Sequence, residues 1–407
     1  MRVSDVFPEL EQAERAFESK HYADVISICS RLLEQDNRNA QALYMRACAF
    51  LESGRKAEAF SDYVKAKQLD PFVVIKRAGV YERKGLNAAA VDEYTRGLKF
   101  DPPNMAYLMN RLTCYEFMGH HTDALKEIDK IIGLYPKNYL GYYVRGNLLL
   151  KDQKYEEALA SYARTIKLLP LKNASFAYKA RIKILLKLRR YKEVVDDYTK
   201  ILESNPKDTD AYLGRAIAYG ELGQYRNQLA DCDKALSLDK KSISSYANKA
   251  SAYLNLAAYK AAVDTCKTGL EIDATSVPLY AHLAKSYGKL ERYSDAIEAL
   301  TKAISFDKGD ENTWLLFNNR GRMNYLLKNY SEALSDYDKA LALSPQNVQI
   351  LINRAVLYDD INAHQKALND LNELTKQQEA KKNAGFSVYS LPFLPIWRET
   401  KTNESLV

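Results

Sequence analysis

The first candidates for chemistry in this sequence are three lysines at steps of four, Lys179, Lys183 and Lys187. They lie in a run of 35 residues, 158–192, that contains ten basic side chains and no Asp or Glu. This local charge of +10 exceeds the net charge of +7 of the whole chain, so the remainder is slightly acidic. Like charges four residues apart on a helix repel each other. The run is therefore either a solvated helix face or a binding site for an acidic partner segment.

Side chains for catalysis or metal binding do not occur at the spacings that such sites require. The five histidines form no H-E-x-x-H pair, and neither a G-x-S-x-G nor a phosphate-loop motif is present. Five cysteines, an odd number without metal-type spacing, argue against a disulfide framework. Cys29, Cys232 and Cys266 share a position where other segments carry Tyr, so we expect them to fill a core. The sequence predicts no enzyme activity, no cofactor and no metal site.

The elements that position these residues recur every 34 residues, ten or eleven times. In the segment 142–170, apolar and small residues recur at steps of three and four on two faces, and a polar break at 151–154 separates them. Each unit is therefore predicted to be a helix, a short turn and a second helix, stacked as an array. The units end near residues 37, 71, 102, 136, 170, 206, 240, 274, 308, 345 and 379.

Most units carry a small residue in both helices, with an aromatic between them, although Val25, Val194, Gln228, Leu112 and Ile182 depart from this pattern. The first-helix set includes Ala47, Gly146 and Ala216, and the second-helix set includes Ala124 and Ala158. These residues resemble the tetratricopeptide repeat family over roughly residues 5–379. The resemblance implies an all-α fold, a right-handed α-solenoid (superhelix) of about ten to eleven helix-turn-helix units. It also implies a non-catalytic scaffold or adaptor whose concave groove binds extended peptide or protein segments.

The same resemblance places two groups of side chains in the groove. Lys179, Lys183 and Lys187 are at offsets that face it. An asparagine column at one first-helix offset could hydrogen-bond the backbone of an extended peptide. The column consists of Asn110, Asn248, Asn319 and Asn353.

Acidic residues in the second helices are followed three positions later by a base. Examples are Asp62 with Lys65, Glu127 with Lys130, and Asp336 with Lys339. Residues at i and i+3 meet on a helix surface. We therefore expect these acids to form solvated pairs on the outer face.

Two other functions compete with the adaptor hypothesis. The basic run 158–192 could bind nucleic acid, with the steep salt dependence of phosphate contacts. A co-chaperone role would use the carboxylate clamp of a chaperone-binding subclass, which requires a Lys and, in the next unit, an Asn. Those positions here are Tyr143 and Ala180, so the clamp is not supported.

The end of the chain departs from the repeat. After the array, residues 380–407 form a non-repeat tail with a Pro-containing apolar segment, 386–397. We expect Phe393, Ile396 and Trp397 either to cap the last hairpin or to dock onto a partner. The sequence has no run of 18 apolar residues and no apolar signal core near its start, so a cytoplasmic location is expected.

Overall fold

The fold consists of paired helices. The structure, a computed structural model, describes residues 8–309 and 312–383, with side chains through residue 376. Within those ranges every regular element is a helix, and the 22 α-helices form eleven hairpins. The predicted all-α solenoid of helix-turn-helix units is therefore confirmed.

The helices alternate along the chain between a first and a second member of each hairpin. The first helices are α1 (Pro8–Glu18), α3 (Ala40–Glu52), α5 (Val73–Arg83), α7 (Met105–Phe117), α9 (Tyr139–Lys151), α11 (Ser175–Lys187), α13 (Thr209–Glu221), α15 (Ile243–Asn255), α17 (Val277–Lys289), α19 (Thr313–Leu326) and α21 (Val348–Asp360). The second helices are α2 (Tyr22–Gln35), α4 (Lys56–Leu69), α6 (Asn87–Phe100), α8 (His121–Leu134), α10 (Tyr155–Leu168), α12 (Tyr191–Ser204), α14 (Tyr225–Leu238), α16 (Tyr259–Ile272), α18 (Tyr293–Phe306), α20 (Tyr330–Leu343) and α22 (His364–Asn383).

The two helix types begin differently. Several first helices are capped by a side chain: Asn39 accepts from the Ala42 amide at 3.0 Å, and Asp208 accepts from the Ala211 amide at 2.9 Å. The second helices follow a turn residue with positive φ, which is Gly54 or Gly223 in some hairpins and Ala257 in another. This left-handed residue reverses the chain within a few positions, so the hairpins are tight.

Small residues bring the two helices of a hairpin together. Ala124 and Ala158 are fully buried, as the periodicity requires. At Gly146 even a methyl group would lie 2.6 Å from the Tyr162 ring, so only glycine fits there without a shift of its neighbours.

Repeats of unusual length differ in defined places. The 31-residue unit has a three-residue link before α5, where its neighbours have four, and α5 has 11 residues instead of 13. The missing residues are therefore taken from both the link and the helix. In the 36-residue unit the extra residues form a short 3₁₀ helix, Leu171–Asn173.

The chain divides at Glu193 into two compact units, 1–193 and 194–407. Each unit has its own apolar core, with Tyr94, Leu108 and Ile128 in the first and Leu279 and Leu300 in the second. All five cysteines are buried and free, which confirms the core position predicted for Cys29, Cys232 and Cys266.

An arginine in many first helices pairs with a carboxylate sixteen residues later in the second helix. The distances between guanidinium and carboxylate atoms are 2.6 to 3.1 Å, and both groups are largely buried. Hydrogen bonds to Asp231 raise the pKa of Arg215. We call this set the arginine ladder. Its pairs are Arg46–Asp62, Arg77–Glu93 and Arg111–Glu127 in the first unit, and Arg215–Asp231, Arg320–Asp336 and Arg354–Asp370 in the second.

The ladder also reaches the preceding hairpin. The Arg111 guanidinium donates to Thr95 Oγ1 at 2.9 Å, and Arg215 donates to Thr199 Oγ1 at 2.9 Å. Each of these threonines lies in the second helix before the arginine. A single arginine therefore connects two consecutive second helices.

The expected solvated pairs on the outer face are wrong for the acids of the ladder. Asp62, Glu127 and Asp336 are less than a tenth exposed and bind arginines of the first helix. The i, i+3 spacing within one helix does not show which way a side chain points. These carboxylates point inward and bind the arginine of the first helix of the same hairpin.

The tail residues Phe393, Ile396 and Trp397 lie outside the described residues.

Candidate peptide-binding surface

The lysines of interest occupy the exposed face of α11. On that helix Ala177, Tyr178, Ile182, Ile184 and Leu185 are buried. Lys179, Lys183 and Lys187 are exposed and, at about 100° per residue, lie on the opposite side of the helix from Leu185. We call this side of a first helix, turned away from the buried residues, its open face.

The remaining bases of the acid-free run do not join this face. Arg164 and Lys167 are exposed on the second helix α10 and Lys172 lies in the 3₁₀ turn. Arg190, at the turn after α11, binds Glu156 at 3.0 Å and Glu193 at 2.5 Å. The run of +10 is thus distributed over several surfaces, and the part on the open face of α11 is the lysine stripe Lys179, Lys183 and Lys187.

One end of the lysine stripe has an aromatic support. The Lys187 ammonium lies 5.0 Å from the centroid of the Tyr155 ring, within the range of a cation–π contact. Tyr155 begins α10, so the turn before that helix fixes the ring beside the end of α11.

An aromatic cluster on α9 and α11 adjoins the other end, and the sequence did not identify it as part of a site. The Phe176 ring packs edge-on against Tyr143, with centroids 4.8 Å apart, and its centroid is 6.2 Å from that of Tyr139. Phe176 and Tyr139 are each 38% exposed. Phe176 precedes Lys179 by three residues, so the two side chains are neighbours on the helix surface. The detectable signal was an extra aromatic, Phe176, outside the repeat pattern.

Two members of the asparagine column, Asn248 and Asn353, hydrogen-bond within the protein. Asn248 donates to the Ser244 carbonyl at 2.8 Å. Asn110 is half-buried on α7. Asn353 donates to Asn318 Oδ1 at 2.9 Å. Asn319 is half-buried on α19. Asn110 belongs to the first unit and the other three to the second, so the structure does not bring the lysine stripe and the whole column together within one unit.

Metal sites and membrane spans are both absent from the described part of the chain. Among its residues no group of three His, Cys, Asp or Glu side chains is arranged to hold a metal ion. No helix within the described ranges has both the length and the apolar composition of a membrane span.

Comparison with known families identifies the repeat. Three models, each described as tetratricopeptide repeat, match residues 40–72, 115–172, 209–242, 243–276, 277–310 and 314–347. These segments span more than half of the chain, and each falls on the hairpins described above. The protein belongs to the tetratricopeptide repeat family.

Curated relatives share part of this array. The DnaJ homolog subfamily C member 7 homolog of Dictyostelium discoideum is 23% identical over 42% of this chain and 37% of its own length. Hsp70-Hsp90 organizing protein 1 of Glycine max is 28% identical over 48% of this chain and 35% of its own length. The match therefore covers little more than a third of either relative.

Solved structures with a similar course include MamA and YrrB. The MamA protein is 17% identical over 45% of this chain and 98% of its own length, with a TM-score of 0.39. YrrB, described as a TPR protein with an unusual peptide-binding site, is 25% identical over 46% of this chain and 95% of its own length, with a TM-score of 0.37.

Proposed function

We propose that this protein is a non-catalytic scaffold that binds an acidic segment of a partner protein on the open faces of α9 and α11. The observation that carries the proposal is the lysine stripe, three exposed ammonium groups on one helix face, beside the partly exposed aromatic cluster Tyr139, Tyr143 and Phe176.

The chemistry of the surface defines the partner. Three lysines at a four-residue spacing attract carboxylates along about two helical turns. The aromatic cluster offers rings against which an apolar or aromatic side chain can pack. An acidic segment with one large apolar residue next to its carboxylates meets both requirements.

Charge reversal on the open face is the direct test. The triple variant Lys179→Glu, Lys183→Glu, Lys187→Glu should abolish capture of the partner from a lysate of the native cell. A matched control reverses Lys167, Lys172 and Lys192, which belong to the same acid-free run and are exposed outside the open face of α11. It changes the net charge equally and should capture the partner as well as the wild type does. Equal capture by both variants would refute the site.

Ionic strength separates this proposal from simple apolar binding. Exposed charge pairs are screened over about 8 Å at physiological salt and over about 3 Å at 1 M. Partner affinity should therefore fall as salt rises. The Phe176→Ala variant should keep this salt dependence, whereas the lysine reversal should remove it. A salt-independent affinity would assign the binding to the aromatic cluster alone.

The asparagines remain secondary candidates for peptide contacts. Asn248 and Asn353 each donate their amide nitrogen to a group within the protein. Replacing Asn248, Asn319 and Asn353 by Ala should weaken partner binding less than the lysine reversal does, because amide contacts are individually modest.

A second function, nucleic-acid binding, competes for the same lysines. The spread of the acid-free run over several surfaces disfavours it, since a phosphate backbone requires a continuous basic path. Nucleic-acid binding would be favoured if single-stranded RNA bound the wild type more tightly than an acidic peptide did. The RNA affinity would then fall in the control variant as well as after the lysine reversal.

The names of the relatives raise a co-chaperone role. Two of them are DnaJ and Hsp70-Hsp90 organizing proteins. The clamp positions here carry Tyr143 and Ala180, neither of which supplies a cation or an amide side chain. The adaptor proposal therefore does not depend on a chaperone partner.

A further inference from the structure

The first hairpin contacts the third hairpin across the second. Glu14 of α1 binds Arg77 of α5, with 3.1 Å between Oε1 and Nη2. The Phe17 ring, also on α1, has the Arg96 guanidinium of α6 at 4.5 Å from its centroid, within the range of a cation–π contact. Glu14 and Phe17 are three residues apart and share one face of the helix. One face of α1 thus reaches both helices of the hairpin after next.

The contact with α1 differs from the regular contacts of the arginine ladder. Arg111 binds Thr95 in the second helix immediately before it. Arg77 binds Glu93, as the ladder requires, but it takes Glu14 of the first hairpin as a second carboxylate. The side chain of Arg77 is 7% exposed and that of Glu93 is 1% exposed, whereas that of Glu14 is 35% exposed. Of the two ion pairs, the one to α1 is therefore the one that water and salt reach.

The apolar anchoring of α1 is slight. Of its 11 residues only Leu10 and Ala13 are buried, whereas eight of the 13 residues of α3 are buried. Its hairpin partner α2 is held more firmly, by the buried residues Val25, Ile28 and Leu32 among others. Because apolar burial supplies most of the stability of a packed helix, α1 can leave its position at a lower cost in free energy than α2 or α3 can.

The space beneath α1 is incompletely filled. A cavity of about 100 Å³ lies between α1 and the helices α3, α5 and α6, and Glu14 and Phe17 form one of its walls. The wall on α3 includes Tyr44 and Cys48, which are 0% and 5% exposed. Among the described residues no group hydrogen-bonds the buried Tyr44 hydroxyl. Water would satisfy that hydroxyl once α1 moved away, so the closed arrangement carries a cost that opening removes.

We propose that α1 is a strap, closed over α3, α5 and α6, which opens while the rest of the array stays folded. Its clasp consists of the Glu14–Arg77 ion pair and the contact of Phe17 with Arg96. Opening exposes the wall of the cavity on α3, so this surface has a covered and an uncovered state. Because the strap is α1 and the lysine stripe lies on α11, this inference does not depend on the binding proposed above.

The reactivity of Cys48 reports the opening of the strap in the full-length protein. N-Ethylmaleimide alkylates a buried thiol only after local opening, and peptide mass spectrometry follows each cysteine separately. We expect Cys48 to react faster than Cys114 of the same unit and Cys232 of the second unit, both of which are buried. Equal rates at the three thiols would contradict the strap. Glu14→Gln should raise the rate at Cys48 about fivefold, the effect of losing a partly exposed ion pair, and leave the rates at Cys114 and Cys232 unchanged.

Glu11→Gln is the matched control for the clasp. Glu11 lies on the same helix and pairs with Arg15 of that helix at 3.9 Å, so this variant should leave the rate at Cys48 as it is in the wild type. Salt provides a second test, because 1 M NaCl screens the exposed pair. Cys48 should then react faster in the wild type and change little in Glu14→Gln. Equal rates at Cys48 in the two variants, or a rise at Cys114 that matches the rise at Cys48, would overturn the proposal.

Discussion

At the scale of single residues, the buried carboxylates of the arginine ladder govern stability. A carboxylate that is less than a tenth exposed must retain its cation, because an unpaired buried charge is costly. The arginine supplies that cation and can donate two parallel hydrogen bonds to the carboxylate. Arg320 donates to Asp336 from Nε at 2.9 Å and from Nη2 at 2.7 Å.

Removing one of these carboxylates should destabilise the array. We expect Asp336→Ala to cost about 3 kcal/mol, because it leaves the largely buried Arg320 guanidinium unpaired. Asp338→Ala is the matched control on the same helix. Its carboxylate is 57% exposed and binds Arg354, so the loss should stay below about 1 kcal/mol. Urea unfolding followed by circular dichroism measures both, and equal losses would show that burial of the pair is unimportant.

At the scale of the helices, the sequence predicted the hairpins well. The polar break at 151–154 predicts the turn between two helices, and α9 ends at Lys151 while α10 begins at Tyr155. The period made this possible, because a pattern repeated in register averages out the ambiguity of any one segment. What local spacing could not show was the partner of an inward carboxylate, since the arginine lies sixteen residues earlier on another helix.

The turn inside each hairpin has its own energetics. Its left-handed residue is Gly223 in one hairpin, with φ of 71°, and Ala257 in the next, with φ of 56°. A residue with a Cβ is strained there by roughly 1–2 kcal/mol.

An exchange at these turns should therefore shift stability in opposite directions. We expect Ala257→Gly to raise the free energy of unfolding by about 0.5–1 kcal/mol and Gly223→Ala to lower it by a similar amount. A Cβ at Gly223 would meet no atom within 4 Å, so its effect comes from the backbone alone. Thermal melts of both variants provide the measurement, and a change of the same sign in both would contradict the explanation.

At the scale of the whole molecule, burial changes the acidity of five thiols that are distributed over both units. Burial raises the pKa of Cys29, Cys48, Cys114, Cys232 and Cys266 from 9.0 to about 12. The native thiols are therefore protonated at neutral pH and poorly nucleophilic.

This difference predicts a pH dependence of stability. Between pH 9 and 12 the unfolded thiols lose protons that the native thiols keep, so the free energy of unfolding falls as pH rises. Each thiol contributes up to about 1.4 kcal/mol per pH unit. Urea unfolding at pH 8 and pH 10, with reductant, measures the change. Cys232→Ala with Cys266→Ala should make the dependence shallower, and an unchanged slope would rule out a contribution from these two thiols.

The candidate binding surface was only partly accessible from sequence. The lysines at 179, 183 and 187 were visible because an acid-free run is unusual in a chain with 52 acidic residues. Their aromatic neighbours were not, because Tyr143 and Phe176 approach each other across two hairpins. The role of Phe393, Ile396 and Trp397 stays a prediction, which deletion of residues 386–407 would test through solubility and partner capture.

The arginine ladder has no arginine in α17, where Leu283 stands two periods after Arg215, and this has a consequence for folding cooperativity. In a repeat array, neighbouring hairpins unfold together only as far as the interface between them couples their free energies. The ladder arginines supply part of that coupling, and Leu283 interrupts it between α16 and α18. Amide hydrogens on the two sides of α17 should then exchange as two groups with different opening free energies.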